Sequence, residues 1–384
     1  MIKQSAPGTT TAARIFRTIW RHPRISRVGI AERLGLDKST VTNQVSQLID
    51  LGLIEEVEEG ASSSKGGRKP IQLGIRKSFG RVIGIELQVE SYLAVAVDLS
   101  GEILGVRSGA IRLDSANFAD TVERIVAETR KAFGGGTGPL LGVGVGTGGL
   151  VDYKRSLIRY SVPLDITEPL DFGRKVASRL PVPCFIENDA NCCAWGELAF
   201  NRSEELRDFL FALIEFRRDP TSIGSYGGLG VGFGVVLGGK LHPGAHGNAG
   251  EFRSAFCDGR GERQFSLSRE ELSRFATDRE VILKVTDELS RNLAMLVNTM
   301  DFDRVYIGGD IEALPVDVPA AFRRRLEENW MYPFPKGVEI RYSSLGEKAV
   351  AYGAAGMVLD RLASESLIPG LYPGSAKAPV GGPK

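Results

Sequence analysis

The pattern that most constrains this chain lies in its first eighty residues, where three short helical periods are followed directly by two short strands around a Gly-, Ser- and Lys-rich tip. From about Thr11, the residues Ile15, Phe16, Ile19 and Trp20 share one apolar stripe, which ends near His22-Pro23 because proline cannot continue a helix. A second helix fits Ser26 to Leu34, with Ser26 as N-cap and Gly35 just past its end. After the Gly35-Leu36-Asp37 turn, a third helix fits Lys38 to Leu51, apolar at Val41, Val45, Leu48 and Ile49. Gly52 stops it, Leu53-Ile54 opens a strand, residues 58–70 form the tip, and Ile71-Gln72-Leu73 returns. Helix, helix-turn-helix and wing, over residues 10–76, is the plan of a winged helix-turn-helix.

Charge agrees with that plan. Residues 1–80 hold 13 Lys and Arg against 7 Asp and Glu, net +6, whereas the remainder holds 35 against 40, net −5. A basic end on an acidic body suits a polyanion-binding module joined to something else. In such a module the second helix of the motif enters the major groove with its first residues facing base edges. Here these are Lys38, Ser39 and Thr40, then Thr42, Asn43 and Gln44. Asn and Gln pair bidentately with adenine, hydroxyls serve as donor or acceptor, and Lys suits guanine or phosphate. Lys65, Arg68 and Lys69 at the wing tip are placed to reach phosphates or a minor groove. The expected partner is a double-stranded DNA operator. Competing with this are a three-helix protein-interaction module, a packing or phosphate role for Thr40 and Thr42, and a simple N-cap role for Asp37.

Downstream the pattern changes. Residues 81–99 read as a strand pair, 118–133 as an amphipathic helix, and Leu140 to Val145 as a buried strand after the Gly134–Gly138 turn. Cys184-Phe185-Ile186 is a strand running into Glu187-Asn188-Asp189-Ala190-Asn191 and a helix. Strands at Phe209–Ile214 and Val231–Leu237, a helix near Val281–Met300, and Val305-Tyr306-Ile307 closed by Gly308-Gly309 follow. Strands alternating with helices indicate an α/β body, and 384 residues suffice for two or three domains. The four cysteines form no spaced framework, and three histidines with them suggest no zinc site. With neither a charged-then-apolar leader nor an apolar run long enough to cross a bilayer, a cytoplasmic protein without membrane attachment is expected.

From Ile15 to about Ala355 the chain resembles the ROK family (repressors, open reading frames and kinases), in its repressor branch. The resemblance rests on the helix-turn-helix, Gly66-Gly67-Arg68-Lys69-Pro70 at the wing, Asn188-Asp189-Ala190-Asn191 and Gly244-Ala245-His246-Gly247-Asn248-Ala249-Gly250-Glu251. It also rests on Gly228-Leu229-Gly230-Val231-Gly232-Phe233-Gly234 and Ile307-Gly308-Gly309, in that order. It implies a two-lobed actin-like (ribonuclease-H-like) sugar-kinase fold, with ligand in the cleft between lobes and assembly as a homodimer or homotetramer. Lobe 1 would run over 81–195 and lobe 2 over 196–366, the last helix packing back on lobe 1, before a flexible tail at 367–384. By the same resemblance Asp189 stands where family kinases keep a base for the sugar hydroxyl. Asn188 and Glu251 would hold sugar hydroxyls, Thr147-Gly148 would form a loop against the sugar, and His246 lies close enough to reach it. On the residues alone, Asn188 or Asp189 also reads as a helix cap, and His246 as a turn residue.

Three departures from the family pattern bear on chemistry. Its phosphate-binding Asp-x-Gly-Gly-Thr falls on Glu86-Leu87-Gln88-Val89-Glu90, where two bulky residues and an extra carboxylate oppose a phosphate. The glycines at 228–234 are then left to form a tight hairpin. The family's Glu-x-Gly-His becomes Glu251-Phe252-Arg253-Ser254, and its cysteine cluster is reduced to Cys257 among Asp258, Arg260 and Glu262. No catalytic residue, cofactor or metal is therefore expected, and Asp189 is a vestigial base. The expectation is a DNA-binding transcriptional regulator, a repressor, modulated by a carbohydrate or related small ligand. The alternatives are an ATP-dependent sugar kinase and a regulator that has lost sugar binding.

Overall fold

A computed structural model describes residues 10–59, 71–133, 135, 138–202, 205–216, 229–259, 263–275 and 277–364. At the N-terminal end, helix α1 (Thr11–Arg21) is capped by Thr10, whose hydroxyl accepts from the Ala13 amide. It buries the stripe Ile15, Phe16, Ile19 and Trp20. Strand β1 (Ile25–Ser26) leads into α2 (Arg27–Leu34), where the Ser26 hydroxyl accepts from Gly29 and Gly35 turns out with φ 63°. Helix α3 (Lys38–Asp50) follows, burying Val41, Val45 and Leu48. Asp37 occupies its N-cap position but makes no side-chain capping bond. Strands β2 (Ile54–Glu59) and β3 (Ile71–Ile75) pair antiparallel, and β1 joins the far side of β3. The β1 strand has no sequence signal, since two residues carry no period.

The body is built on two sheets of one plan. In the first, β4 (Arg81–Leu87), β5 (Ser91–Asp98) and β6 (Ile103–Ala110) form an antiparallel meander. After helix α4 (Phe118–Ala132), β7 (Leu140–Thr147) adds parallel to β4. A small sheet of β8 (Leu150–Asp152), β9 (Leu157–Tyr160) and β10 (Leu170–Asp171), with the one-turn α5 (Phe172–Lys175), precedes β11 (Cys184–Asn188), which is parallel to β7. The long helix α6 (Asp189–Phe200) then crosses the expected lobe boundary at residue 195.

In the second sheet β12 (Phe209–Phe216), β13 (Leu229–Leu237) and β14 (Lys240–Leu241) repeat the meander. After α7 (Arg269–Ser273) and α8 (Arg279–Met300), β15 (Arg304–Gly309) adds parallel to β12. Past α9 (Val318–Asn329), β16 (Glu339–Tyr342) adds parallel to β15. The strand orders β11-β7-β4-β5-β6 and β16-β15-β12-β13-β14 match position for position, so each lobe carries the same five-strand topology. The closing helix α10 (Ala349–Ser364) returns across β4, β7 and α6.

One expectation is corrected here. Gly230, Gly232 and Gly234 lie within β13, in the stretch Leu229–Val236 that pairs with β12, and form no tight hairpin. A Cβ on Gly234 would sit 2.5 Å from the Ala190 carbonyl oxygen and 2.6 Å from the Ala194 Cβ. Gly232 and Gly234 therefore let α6 lie directly on the second sheet, a tertiary requirement that a local turn signal cannot register. The wing-tip residues Lys65, Arg68 and Lys69 and the segment 365–384 fall outside the described residues.

Candidate ligand cleft and nucleic-acid interface

Parallel strands end together, so their carboxyl ends make a common ledge. Here Leu87 of β4, Thr147 of β7 and Asn188 of β11 are in register. The Thr147 hydroxyl is buried and donates to the Leu87 carbonyl at 3.3 Å, tying two strands at that ledge. Gly148 follows, and a Cβ there would lie 3.1 Å from the Asp189 Oδ2, a tight contact that would press on the carboxylate. Asn188 does cap α6, its Oδ1 accepting from the Asn191 amide at 3.2 Å, while its Nδ2 donates to the Gly149 carbonyl at 3.1 Å. The Asp189 Oδ1 accepts from the Ala190 amide at 2.7 Å, at the electropositive start of the helix.

The second lobe brings Glu251 to the same place. Gly250 takes φ 95°, and a Cβ there would fall 1.8 Å from the Phe233 carbonyl oxygen. Its own carbonyl accepts from the Phe233 amide at 2.9 Å, and Glu251 bridges to Gly232 on β13. Glu251 keeps part of its surface in solvent, yet partial burial of its carboxyl raises it above the usual range, and the Asp189 charge adds to the rise. Arg159 on β9, which no motif marks, opposes this rise and hydrogen-bonds to Asn248. His246 is exposed on the preceding turn. Gly148, Asn188, Asp189 and Glu251 thus converge, whereas the Thr147 side chain serves the sheet.

Behind them the cleft floor is acidic. Glu86 is buried, accepts from the Gln88 Nε2 at 2.8 Å, and is pushed up to about 8 by burial and then by Asp189, with Asp310 adding. Gln88 also reaches Glu215 of the other lobe at 3.4 Å, and Ser91 donates to Gln88 at 3.1 Å. Asp310, just past β15, accepts from the Phe216 amide at 2.7 Å. The carboxylates of Glu215 and Asp310 come from the second lobe to the segment that, in the family pattern, would cradle phosphate, and a polyphosphate placed there would meet their like charge, while Glu86 keeps its proton at neutral pH.

The loop after Glu251 is held by side-chain amides and hydroxyls. Gln264 is buried, donates to the carbonyls of Val231 at 2.7 Å and Phe252 at 3.0 Å, and accepts from the Val231 amide at 2.8 Å. Ser254 accepts from the Asn292 Nδ2 at 3.1 Å, and Ser266 donates to Glu288 at 2.6 Å. These roles were not legible in the sequence, because the partners lie up to 38 residues apart.

At the other end of the molecule α3 presents Lys38, Ser39, Thr42 and Asn43 to solvent, with Thr40 and Gln44 half-buried. Thr42 donates back to the Lys38 carbonyl at 2.8 Å, and Gln44 pairs with Gln47 at 3.1 Å. The exposed Gln47, one turn on, extends this polar face beyond the six residues read from the sequence.

Comparison with known proteins adds independent findings. The ROK family model matches residues 82–253, and a winged helix-turn-helix DNA-binding model matches residues 10–55. The chain is 28% identical over 254 residues to the xylose repressor of Bacillus spizizenii, covering 65% of this chain and 61% of that protein. It is 24% identical over 382 residues to the xylose repressor of Bacillus subtilis strain 168, covering 90% and 94%. A crystal structure of a ROK family transcriptional regulator, described as a homologue of the E. coli MLC protein, superposes with a TM-score of 0.73 at 17% identity, covering 93% of this chain and 98% of that one. At that identity the superposition speaks for the fold. No helix among the described residues is long and apolar enough to cross a membrane.

Proposed function

Because the chain joins an N-terminal winged helix-turn-helix to a ROK family domain, we propose that it is a sequence-specific DNA-binding transcriptional regulator, a repressor, whose operator affinity is set by a carbohydrate in the interlobe cleft. The observation that carries this reading is the pairing, in one chain, of an exposed polar recognition helix with a cleft that keeps Asn188, Asp189 and Glu251 together. Binding DNA puts its site of action where the chromosome is, in the cytoplasm. Two-fold DNA half-sites call for at least a homodimer, since recognition helices one helical turn apart (~34–36 Å) must engage together. The relatives' names make pentoses the first effectors to try.

The carboxylates of Glu215 and Asp310, beside the Glu86–Glu90 segment, speak against the kinase alternative, because phosphoryl transfer depends on neutralising phosphate charge. Asp189 is then a hydrogen-bond acceptor for a sugar hydroxyl with no step to catalyse. The test is a thermal-shift screen against pentoses, hexoses, amino sugars and sugar phosphates, each with and without Mg-ATP. A sugar at a hundred times its Kd stabilises by about 2.7 kcal/mol. Stabilisation by a sugar that Mg-ATP leaves unchanged supports the sensor; ADP release with the sugar present overturns it in favour of the kinase. Silence across the panel overturns the carbohydrate part of the reading.

Two substitutions separate the functions. Glu251→Ala is expected to weaken sugar binding at least ten-fold while leaving operator affinity within two-fold, as read by calorimetry and fluorescence anisotropy. Intact sugar binding would remove Glu251 from the clamp. Asn43→Ala or Gln44→Ala is expected to reduce discrimination against a wrong base by about 1–3 kcal/mol. Unchanged selectivity in a random-sequence selection would take that residue out of base readout.

A further inference from the structure

The helix that begins at the ligand clamp ends at the DNA-binding domain. Helix α6 starts with Asn188 and Asp189 in the cleft and finishes at Phe200, about 18 Å away along its axis. There the Phe200 ring stacks on Tyr352 of α10, with centroids 3.6 Å apart and planes 5° apart. It also meets Trp20 of α1 edge-on at 6.3 Å. Two residues past the helix, the Arg202 guanidinium lies over the Trp20 ring at 4.6 Å. Arg202 also donates to the Ala199 and Ser100 carbonyls at 3.2 and 2.8 Å. The Trp20 indole N–H donates to the Leu99 carbonyl at 3.1 Å, and Tyr352 donates to Gly101 at 2.5 Å. Arg17, one turn before Trp20, pairs with Asp360 of α10 at 2.5 Å.

The first half of α6 also touches the second lobe. A Cβ on Gly232 would come within 3.2 Å of the Ala190 Cβ, and one on Gly234 within 2.5 Å of the Ala190 carbonyl oxygen. A shift of the second lobe against the first therefore acts on α6 directly, with no side chain between to absorb it. Packed helices move as units because close-packed interiors yield little. We propose that α6 is a rigid lever that carries the state of the cleft to the winged helix-turn-helix, and that the contact of Phe200 and Arg202 with Trp20 is where the movement is delivered to α1. The lever rests on the proposed reading of the cleft as an effector site. It assigns Phe200 a coupling role that touches neither sugar nor DNA.

The full-length wild type, Phe200→Leu and Trp20→Phe are compared for binding of D-xylose, D-glucose and N-acetyl-D-glucosamine by calorimetry. Binding to a DNA fragment selected by the wild type is measured by anisotropy, with and without the sugar that binds. Each variant is expected to keep both affinities within two-fold while losing at least five-fold of the sugar-induced change in DNA affinity. A wild-type sugar effect in a folded variant overturns the lever. Two variants are used because either one alone could fail to fold. If none of the three sugars binds the wild type, the effector reading is what fails. The lever is then read from DNA affinity across Asp189→Asn, Phe200→Leu and the double variant: non-additivity of three-fold or more is expected, and additive effects overturn it.

Discussion

Replacing Gly353 with alanine is expected to lower the melting temperature by roughly 6–12 °C or to prevent folding, the range that about 3 kcal/mol produces in a unit of 150–250 residues. Helices α6 and α10 cross so closely that a Cβ on Gly353 would lie 1.7 Å from the Cys192 carbonyl oxygen and 2.5 Å from its carbonyl carbon. The obstacle is backbone, so no side chain can rotate away and the helices must part. Gly84 shows that the approach continues onto β4, where a Cβ would stand 1.9 Å from the Ala351 carbonyl oxygen. Gly135→Ala is the control, since nothing lies within 4 Å of its added carbon. Calorimetric melts of both variants decide the matter. A Gly353→Ala melt within a degree of wild type would show that the two helices separate at little cost.

Replacing Glu86 with glutamine is expected to stabilise the protein at alkaline pH and to change little at pH 5. Burial, and after it the charge of Asp189, lifts the Glu86 carboxyl from 4.5 to about 8. Below pH 4.5 folded and unfolded chains both hold the proton. Between 4.5 and 8 the unfolded chain releases it and the folded chain keeps it, so stability falls as pH rises through that window and the loss is complete above about 8. Glutamine has no proton to lose and can still accept from Gln88. At about 1.36 kcal/mol per pH unit the gap between the two proteins approaches about 5 kcal/mol by pH 8.5, less any relaxation of the neighbouring groups. Melting temperatures of both proteins at pH 5.0 and 8.5 check the sign. An equal difference at the two values would show that Glu86 ionises as it does in water.

The two substitutions probe features of unequal visibility in the chain. The helix-turn-helix was legible because capping and periodicity are local: Ser26, Gly35 and the buried stripes of α1 and α3 stand where the residue pattern put them. Resemblance to the family pointed to the Asn188-Asp189 and Gly250-Glu251 segments, and the structure places both at one cleft. What residue type left open was their use. Asn188 caps α6 and also tethers the Gly149 loop, two roles that its amide fills at once. The glycines of β13 looked like a turn because their demand is steric and comes from α6, a helix some forty residues earlier. Gln264 and Asn292 carried no signal, since a buried amide is recognisable only when its carbonyl partners are in view.

The amino-acid order by itself determined the winged helix-turn-helix, the basic end on an acidic body, and the alternation of strands and helices, while resemblance to the family implied that Glu86-Leu87-Gln88-Val89-Glu90 stands where a glycine-rich phosphate cradle would be. The helices and strands depend on neighbours within a turn or two of chain, and the charge balance is a plain sum over residues. Only the tertiary structure decided that the two sheets repeat one topology, that Glu86 lies within reach of the charges of Asp189 in its own lobe and Asp310 in the other, and that α6 runs from that site to Phe200 beside Trp20. These are relations between residues far apart in the chain. They arise from close packing of backbone on backbone and from electrostatics between buried and half-buried carboxyl groups, neither of which leaves a period or a motif to read.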